Sequence, residues 1–338
     1  MVALGAALVL LTAMGAVGVA GLRRFGPWLD PLERVAYGLP LGVVLGSLAM
    51  LPPASAFGFG LPVVLAVGVA SAVAAVALWP CRPSPTAVRA AVSGKLVLRP
   101  GRFLASARRA WAWPGFWPAL VIGAFVVRWA VLWRGALVNG GDGLWASPVN
   151  VWWDWGFHLA DTMSFAAADN FPPQSVHYAG HPLAYHYLPS LTAAALVRLG
   201  MEPTAALTLH SFLGSVLILL GLYAFARRLT GDRGVATLTL VLVLLGGSMG
   251  WLATMAEMDR SHSVWGTLME RAWDQGQREA LNFRWLNLYL GSFVPQRGWL
   301  YGLPLALLVL TLLFAGARGR DRRPFVVAGV AAGLLPLA

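Results

Sequence analysis

Apolar runs long enough to cross a bilayer, separated by short basic connectors, constrain this chain more than any other feature. Such runs occupy residues 3–22, 35–51, 57–79, 113–133, 204–224, 235–252 and 299–315, and an eighth begins near residue 324. Each approaches the roughly 20 residues that one helical crossing of the hydrocarbon core requires. Within that core the backbone must satisfy its own hydrogen bonds, which leaves the helix as the form for runs of this kind. The expected fold class is therefore an all-α integral membrane protein, a polytopic helix bundle of about eight transmembrane helices. Composition agrees, with 58% hydrophobic and 12% charged residues, where soluble domains carry about a quarter charged.

The formal charge of +11 does not point to nucleic acid. The basic residues sit in connectors between apolar runs and no nucleic-acid-binding signature accompanies them, so membrane lipids are the expected partners. From residue 80 to residue 112 come Arg82, Arg89, Lys95, Arg99, Arg102, Arg108 and Arg109 without a single acid. By the positive-inside rule this is a cytoplasmic loop, and Arg23–Arg24, Arg227–Arg233 and Arg318–Arg323 fall on the same side. Two long outer loops follow from that topology, residues 135–203 and 253–298, on the extracytoplasmic face of the plasma membrane. The Pro52-Pro53 pair is expected to mark a tight connection, and residues 183–199 an interfacial helix of the first outer loop. The first run lacks the basic start and cleavage site of a signal peptide. Cys81 is alone, which excludes an intrachain disulfide. The chain divides into an N-terminal three-span region, 1–112, and a membrane core, 113–338. Because the last run is still apolar at Ala338, the sequence reads as truncated at the C-terminus.

The polar chemistry gathers between residues 151 and 200. Asp154, Asp161, Asp169, His158, His177, His181 and His186 lie there, and no Lys or Arg occurs from Gly135 to Val197. In a helix Asp154, His158 and Asp161 stand at i, i+4 and i+7 on one face. That face suits a carboxylate–imidazole general base acting on a hydroxyl, or a divalent cation held by two carboxylates and an imidazole. Asp154 lies between Trp153 and Trp155, and partial desolvation there raises its proton affinity. Arg297, after Gln296 at the mouth of the seventh run, suits a phosphate because a guanidinium engages two oxygens at once. Arg128, inside the fourth run, needs an anionic or watery partner, and His210 is expected to hydrogen-bond a neighbouring helix.

At these residues the chain resembles the GT-C superfamily of membrane glycosyltransferases, particularly its protein-O-mannosyltransferase-like and aminoarabinose-transferase-like members. The resemblance rests on an acid soon after an outward-going span (Asp154), on HPLAYHYLPSLTAAALVRLG (His181–Gly200), and on GLYAFARRLTGDRGVATLTLVLVL (Gly221–Leu244). It spans about residues 113–338 and implies a GT-C-like bundle with interfacial helices in the first outer loop. It further implies inverting transfer of a sugar from a polyprenyl-phosphate donor to an extracytoplasmic acceptor, a glycan, lipid or protein. Asp154 would be the base, with His158 or Asp161 as second group because Trp155 stands where the family often has an adjacent acid. His181, Tyr185 and His186 become candidates for substrate contact beside Gln296 and Arg297. Leu183 replaces the second proline of the family's HPPL-type segment. A non-catalytic lipid-binding scaffold of the same fold and a secondary transporter are the competing readings.

Overall fold

The computed structural model describes residues 2–79, 115–146, 152–247, 250–261, 263, 277–278, 283–284, 287–319 and 321–337. The basic loop of residues 80–112 lies outside the described residues, as does much of the second expected outer loop.

Among the described residues six helices are long and apolar enough to cross a membrane. They are α1 (Val2–Phe25), α2 (Pro31–Phe57), α3 (Leu61–Leu78), α4 (Phe116–Ala136), α7 (Pro203–Thr230) and α10 (Trp299–Arg318). Between them lie α5 (Trp152–Ala166), α6 (Leu188–Arg198), α8 (Arg233–Leu245) and α9 (Gly250–Ser261), and α11 (Arg323–Leu334) follows. Two short antiparallel ladders, β1 (Leu137–Gly140) with β2 (Gly143–Ala146) and β3 (Gln277–Arg278) with β4 (Phe283–Arg284), are the strands among the described residues. The expected sixth and eighth spans are only 13 and 12 residues of α-helix. Gly246 and Gly247 end α8, since glycine gives up more entropy in a helix than any other residue except through compensating contacts.

One end of the bundle is fixed by charge. Asp30-Pro-Leu-Glu33 forms a capping box: Asp30 accepts the Glu33 N–H at 3.0 Å and Glu33 accepts the Asp30 N–H at 2.7 Å. The two carboxylates also pair with Arg227 and Arg228 at the end of α7, Arg228 Nε reaching Glu33 at 2.6 Å. Gly231, at φ +73°, then closes α7 in the left-handed conformation.

Pro52 and Pro53 do not make the turn expected of them; they lie inside α2, and Gly58, at φ +80°, ends the helix. Each proline lacks the N–H that would bond the carbonyl four residues earlier, of Leu48 or Ala49, yet the helix continues to Phe57. Asp169 secures this opposite end, its carboxylate accepting the Phe59 N–H at 2.5 Å.

Packing centres on α7, which touches α2, α4, α5, α6, α8 and α10. Helices α1 and α2 meet backbone to backbone: a Cβ on Gly18 would lie 1.9 Å from the Gly38 carbonyl, and one on Gly42 2.1 Å from the Met14 carbonyl. Small residues allow this approach in membranes. The N-terminal region and the following core share one apolar cluster, which includes Met14, Val44, Leu191, Leu219 and Leu305. Helix α6 is enclosed by protein, with every residue from Leu188 to Leu196 buried. The segment expected to be an interfacial helix thus forms a helix packed among its neighbours, with Ser190 and Thr192 among its buried residues.

Candidate active site

Helix α5 carries the polar stripe. Trp133 of α4 meets Trp155 edge to face at 5.8 Å, which seats the first half of α5. At roughly 100° per residue, Asp154, Trp155, His158, Asp161 and Thr162 share one face about 120° wide. Asp154 is half-buried, and desolvation raises its pKa. The others are buried. Trp155 Nε1, His158 Nδ1, both Asp161 carboxylate oxygens and Thr162 Oγ1 have no hydrogen-bond partner among the described residues. Buried polar groups are normally paired, so five unpartnered atoms on one helix face single it out.

Asp161 is 1% exposed. Burial pushes its carboxyl up to about 6, against the opposing pull of His177, whose Nε2 lies 4.0 Å from Oδ1. Phe157 stacks on the His177 ring at 4.4 Å and holds it there.

The segment before α10 forms the facing wall. Tyr289–Phe293 is a π-helical turn, closed by the Val294 N–H on the Tyr289 carbonyl at 3.1 Å. The Trp299 N–H bonds Gln296 rather than Pro295, which leaves the Pro295 carbonyl for His158 Nε2 at 2.8 Å. A carbonyl only accepts, so Nε2 carries the proton and Nδ1 is bare. Burial, together with the Arg297 charge, pushes the ring pKa down to about 3. His158 is therefore neutral near pH 7, and its visible part is to orient the Pro295 segment.

Tyr185 joins the two walls. Its hydroxyl donates to Gln296 Oε1 at 2.8 Å and its ring meets Phe157 at 5.1 Å. Burial raises its pKa, with Asp154 and Asp161 adding to the rise and Arg297 opposing it; the phenol thus lies within the field of both acids and the guanidinium. His186 is exposed, and a Cβ on Gly298 would stand 3.2 Å from its ring. His181 is exposed and packs on Tyr178 at 4.6 Å, apart from the other candidates.

Arg297 is 2% exposed. It donates to Ser211 Oγ at 2.7 Å and to His210 Nδ1 at 3.0 Å. An arginine only donates, so His210 carries its proton on Nε2 and donates it in a hydrogen bond to Tyr301 Oη, 2.5 Å away. The Tyr301 hydroxyl donates to Thr192 Oγ1 at 2.8 Å, and Thr192 meets Ser47 at 2.7 Å. The Thr192 hydroxyl donates to the Leu188 carbonyl at 2.9 Å, so Ser47 donates to Thr192; the network links α10, α7, α6 and α2, and fulfils the expectation for His210. Among the described residues no carboxylate lies within ion-pairing range of Arg297, and its Nε has no partner. Burial lowers its pKa to about 10, which still leaves it charged at neutral pH.

The structure therefore gathers His158, Tyr185, His186, Gln296 and Arg297 around the Val294–Gly298 turn, with Asp154 and Asp161 on the same helix as His158. Among the described residues no three His, Cys, Asp or Glu side chains come together to hold a metal ion, so Asp154, His158 and Asp161 do not form such a centre. Ser211, which holds Arg297, and Tyr301, Thr192 and Ser47, which follow His210 in the network, escaped sequence reasoning; isolated hydroxyls in apolar runs were their only signal.

A family profile described as an uncharacterized membrane protein (DUF2298) matches residues 157–292. The match takes in His158, Asp161 and Tyr185 but neither Asp154 nor Arg297. No curated protein and no solved structure matches the chain. With its six apolar helices, the chain is a mostly helical integral membrane protein.

Proposed function

We propose that the chain is a GT-C-like membrane glycosyltransferase that moves a sugar from a polyprenyl-phosphate donor to a hydroxyl acceptor on the extracytoplasmic side. One observation carries this reading. Arg297 and Asp161 are buried charges, neither holding an opposite charge in ion-pair contact among the described residues apart from the 4.0 Å approach of His177, and Tyr185 lies in the field of both. Burying an uncompensated charge is costly. A phosphate answers the arginine, and a hydroxyl proton answers a carboxylate.

In this reading Arg297 holds the donor phosphate, placed by the Ser211 and His210 contacts. The acceptor oxygen attacks the anomeric carbon, and the bond to phosphate oxygen breaks as the new C–O bond forms, with inversion. The proton goes to the aspartate, and the electron pair leaves with polyprenyl phosphate, whose charge Arg297 stabilises. Asp154, half-buried, is the base in reach of an incoming acceptor; Asp161 deeper on the same face is the second acid, and its raised proton affinity suits that task. His158 and Gln296 are positioning residues, and Tyr185 and His186 line the approach.

The non-catalytic lipid-binding reading draws support from the same arginine, because its hydrogen-bond chain to Ser47 would also suit a structural role. Transfer of labelled sugar from a polyprenyl-phosphate donor separates the two. Wild-type membranes should transfer sugar and Asp154→Asn membranes, at equal protein level, should not. Silence from the wild type across several donors favours the scaffold.

A further inference from the structure

The cation that this chemistry leaves unused is Arg128. It is residue 13 of the 21 in α4, inside an apolar span, where a charged side chain is costly unless it is partnered. Among the described residues it forms no ion pair and no hydrogen bond. It lines a cavity of about 180 Å³ between α4, the end of α8 and the π-helical turn. The remaining walls are Phe125, Trp129, Leu244, Leu245 and the Tyr289 ring, with one polar side chain, Asn287.

Each polar group that might have answered the guanidinium is already engaged. The Asn287 amide donates to the Leu244 and Gly246 carbonyls at 2.8 and 2.7 Å, taking the helix end that would otherwise offer Arg128 its oxygens. Asn287 Oδ1 accepts the Tyr289 N–H at 3.0 Å. The Tyr289 hydroxyl faces Ser215 at 3.4 Å, and its ring stacks on Trp129 at 4.4 Å. Snorkelling to the C-terminal end of α4 is also disfavoured, since helical side chains lean toward the N-terminus. Among the described residues, the cavity thus presents a cation without an ion pair or hydrogen bond in an aromatic and aliphatic wall.

We propose that this cavity binds the phosphate headgroup of an anionic glycerophospholipid from the surrounding leaflet. At 180 Å³ it is small beside the roughly 300–1,000 Å³ of pockets that enclose whole ligands; it takes a headgroup, while the acyl chains lie outside. The flanks provide for them: Val127 and Val131 of α4 are 66% and 71% exposed, and Leu242 and Leu245 of α8 are 63% and 67% exposed. The guanidinium supplies a charge-assisted pair to the phosphate. This site is separate from Arg297 and does not depend on sugar transfer.

The test is native mass spectrometry of the detergent-solubilised full chain titrated with phosphatidylglycerol, inorganic phosphate or diacylglycerol. The wild type should retain one phosphatidylglycerol molecule that survives delipidation, and neither inorganic phosphate nor diacylglycerol should displace it. Arg128→Gln should weaken binding about tenfold or more, and Arg128→Lys, which keeps the charge but not the planar fork, by less. Arg134→Gln, six residues further along the same helix, should bind like the wild type and controls for general loss of surface charge. Equal retention by Arg128→Gln and wild type would overturn the proposal. So would displacement by inorganic phosphate, which would mean that the chains contribute nothing, or by diacylglycerol, which would mean that the phosphate contributes nothing. A melting temperature measured for each variant identifies any loss of fold; in that event the comparison of Arg128→Lys with wild type decides.

Discussion

Replacing Asp161 by Asn should stabilise the protein near neutral pH, although Asp161 is one of its most enclosed polar residues. Its carboxyl is shifted from 3.8 to about 6 by burial, so the folded state binds the proton more tightly than the unfolded chain. The sign follows directly. Below pH 3.8 the group is protonated in both states and contributes no difference; as pH rises through 6 the folded state must carry a buried carboxylate, and stability falls. At ~1.4 kcal/mol per pH unit the full cost is ~3 kcal/mol above pH 6. The neighbouring His177 is 43% exposed, and water at that edge screens the carboxylate, which reduces the cost to ~1–2 kcal/mol. Asn keeps the shape and removes the charge. Thermal melts in detergent should show Asp161→Asn about 2–4 °C above wild type at pH 8, with the gap closing toward pH 4. His177→Ala should move the wild-type transition to higher pH, because the imidazole opposes the burial effect. A gap that does not vary with pH, or an Asn variant that melts lower throughout, would refute the reasoning.

Other substitutions test the frame around the site. Glu33→Gln breaks a buried pair with Arg228 and should cost ~3 kcal/mol, read as a lower melting temperature that Arg228→Met in the same chain partly restores. Gly42→Leu places a side chain where even a Cβ would be 2.1 Å from the Met14 carbonyl; α1 and α2 should separate, lowering both expression and melting temperature. Tyr301→Phe removes the hydroxyl between His210 and Thr192. It should cost ~1–3 kcal/mol and loosen Arg297, so that Arg297→Gln added to it costs less than Arg297→Gln alone.

The long apolar helices were legible in the sequence because hydrocarbon demands length, and each of the six was anticipated within a few residues of its start. Helix ends were less legible. Pro52 and Pro53 read as a turn, but the helix runs through both of them and the turn belongs to Gly58. The capping box at Asp30 and Glu33 went unread, and its pairing with Arg227 and Arg228 required residues nearly two hundred positions apart to meet. Periodicity placed Asp154, His158 and Asp161 on one face. It could not reveal that the Pro295 carbonyl, left free because the Trp299 N–H bonds Gln296, ties His158 Nε2, or that Asp169 serves the α2–α3 turn instead of the site. Those are tertiary contacts, without a local signal.

The most direct measurement is sugar transfer by the reconstituted full chain from a labelled polyprenyl-phosphate sugar, comparing wild type with Asp154→Asn, Asp161→Asn and Arg297→Lys at equal melting behaviour. The account predicts that Asp154→Asn abolishes transfer. It further predicts that Arg297→Lys lowers kcat/KM at least tenfold, and that Asp161→Asn alters the acidic limb of the pH profile. Transfer that persists in Asp154→Asn and Arg297→Lys, or a wild type that transfers nothing from any donor offered, would contradict it.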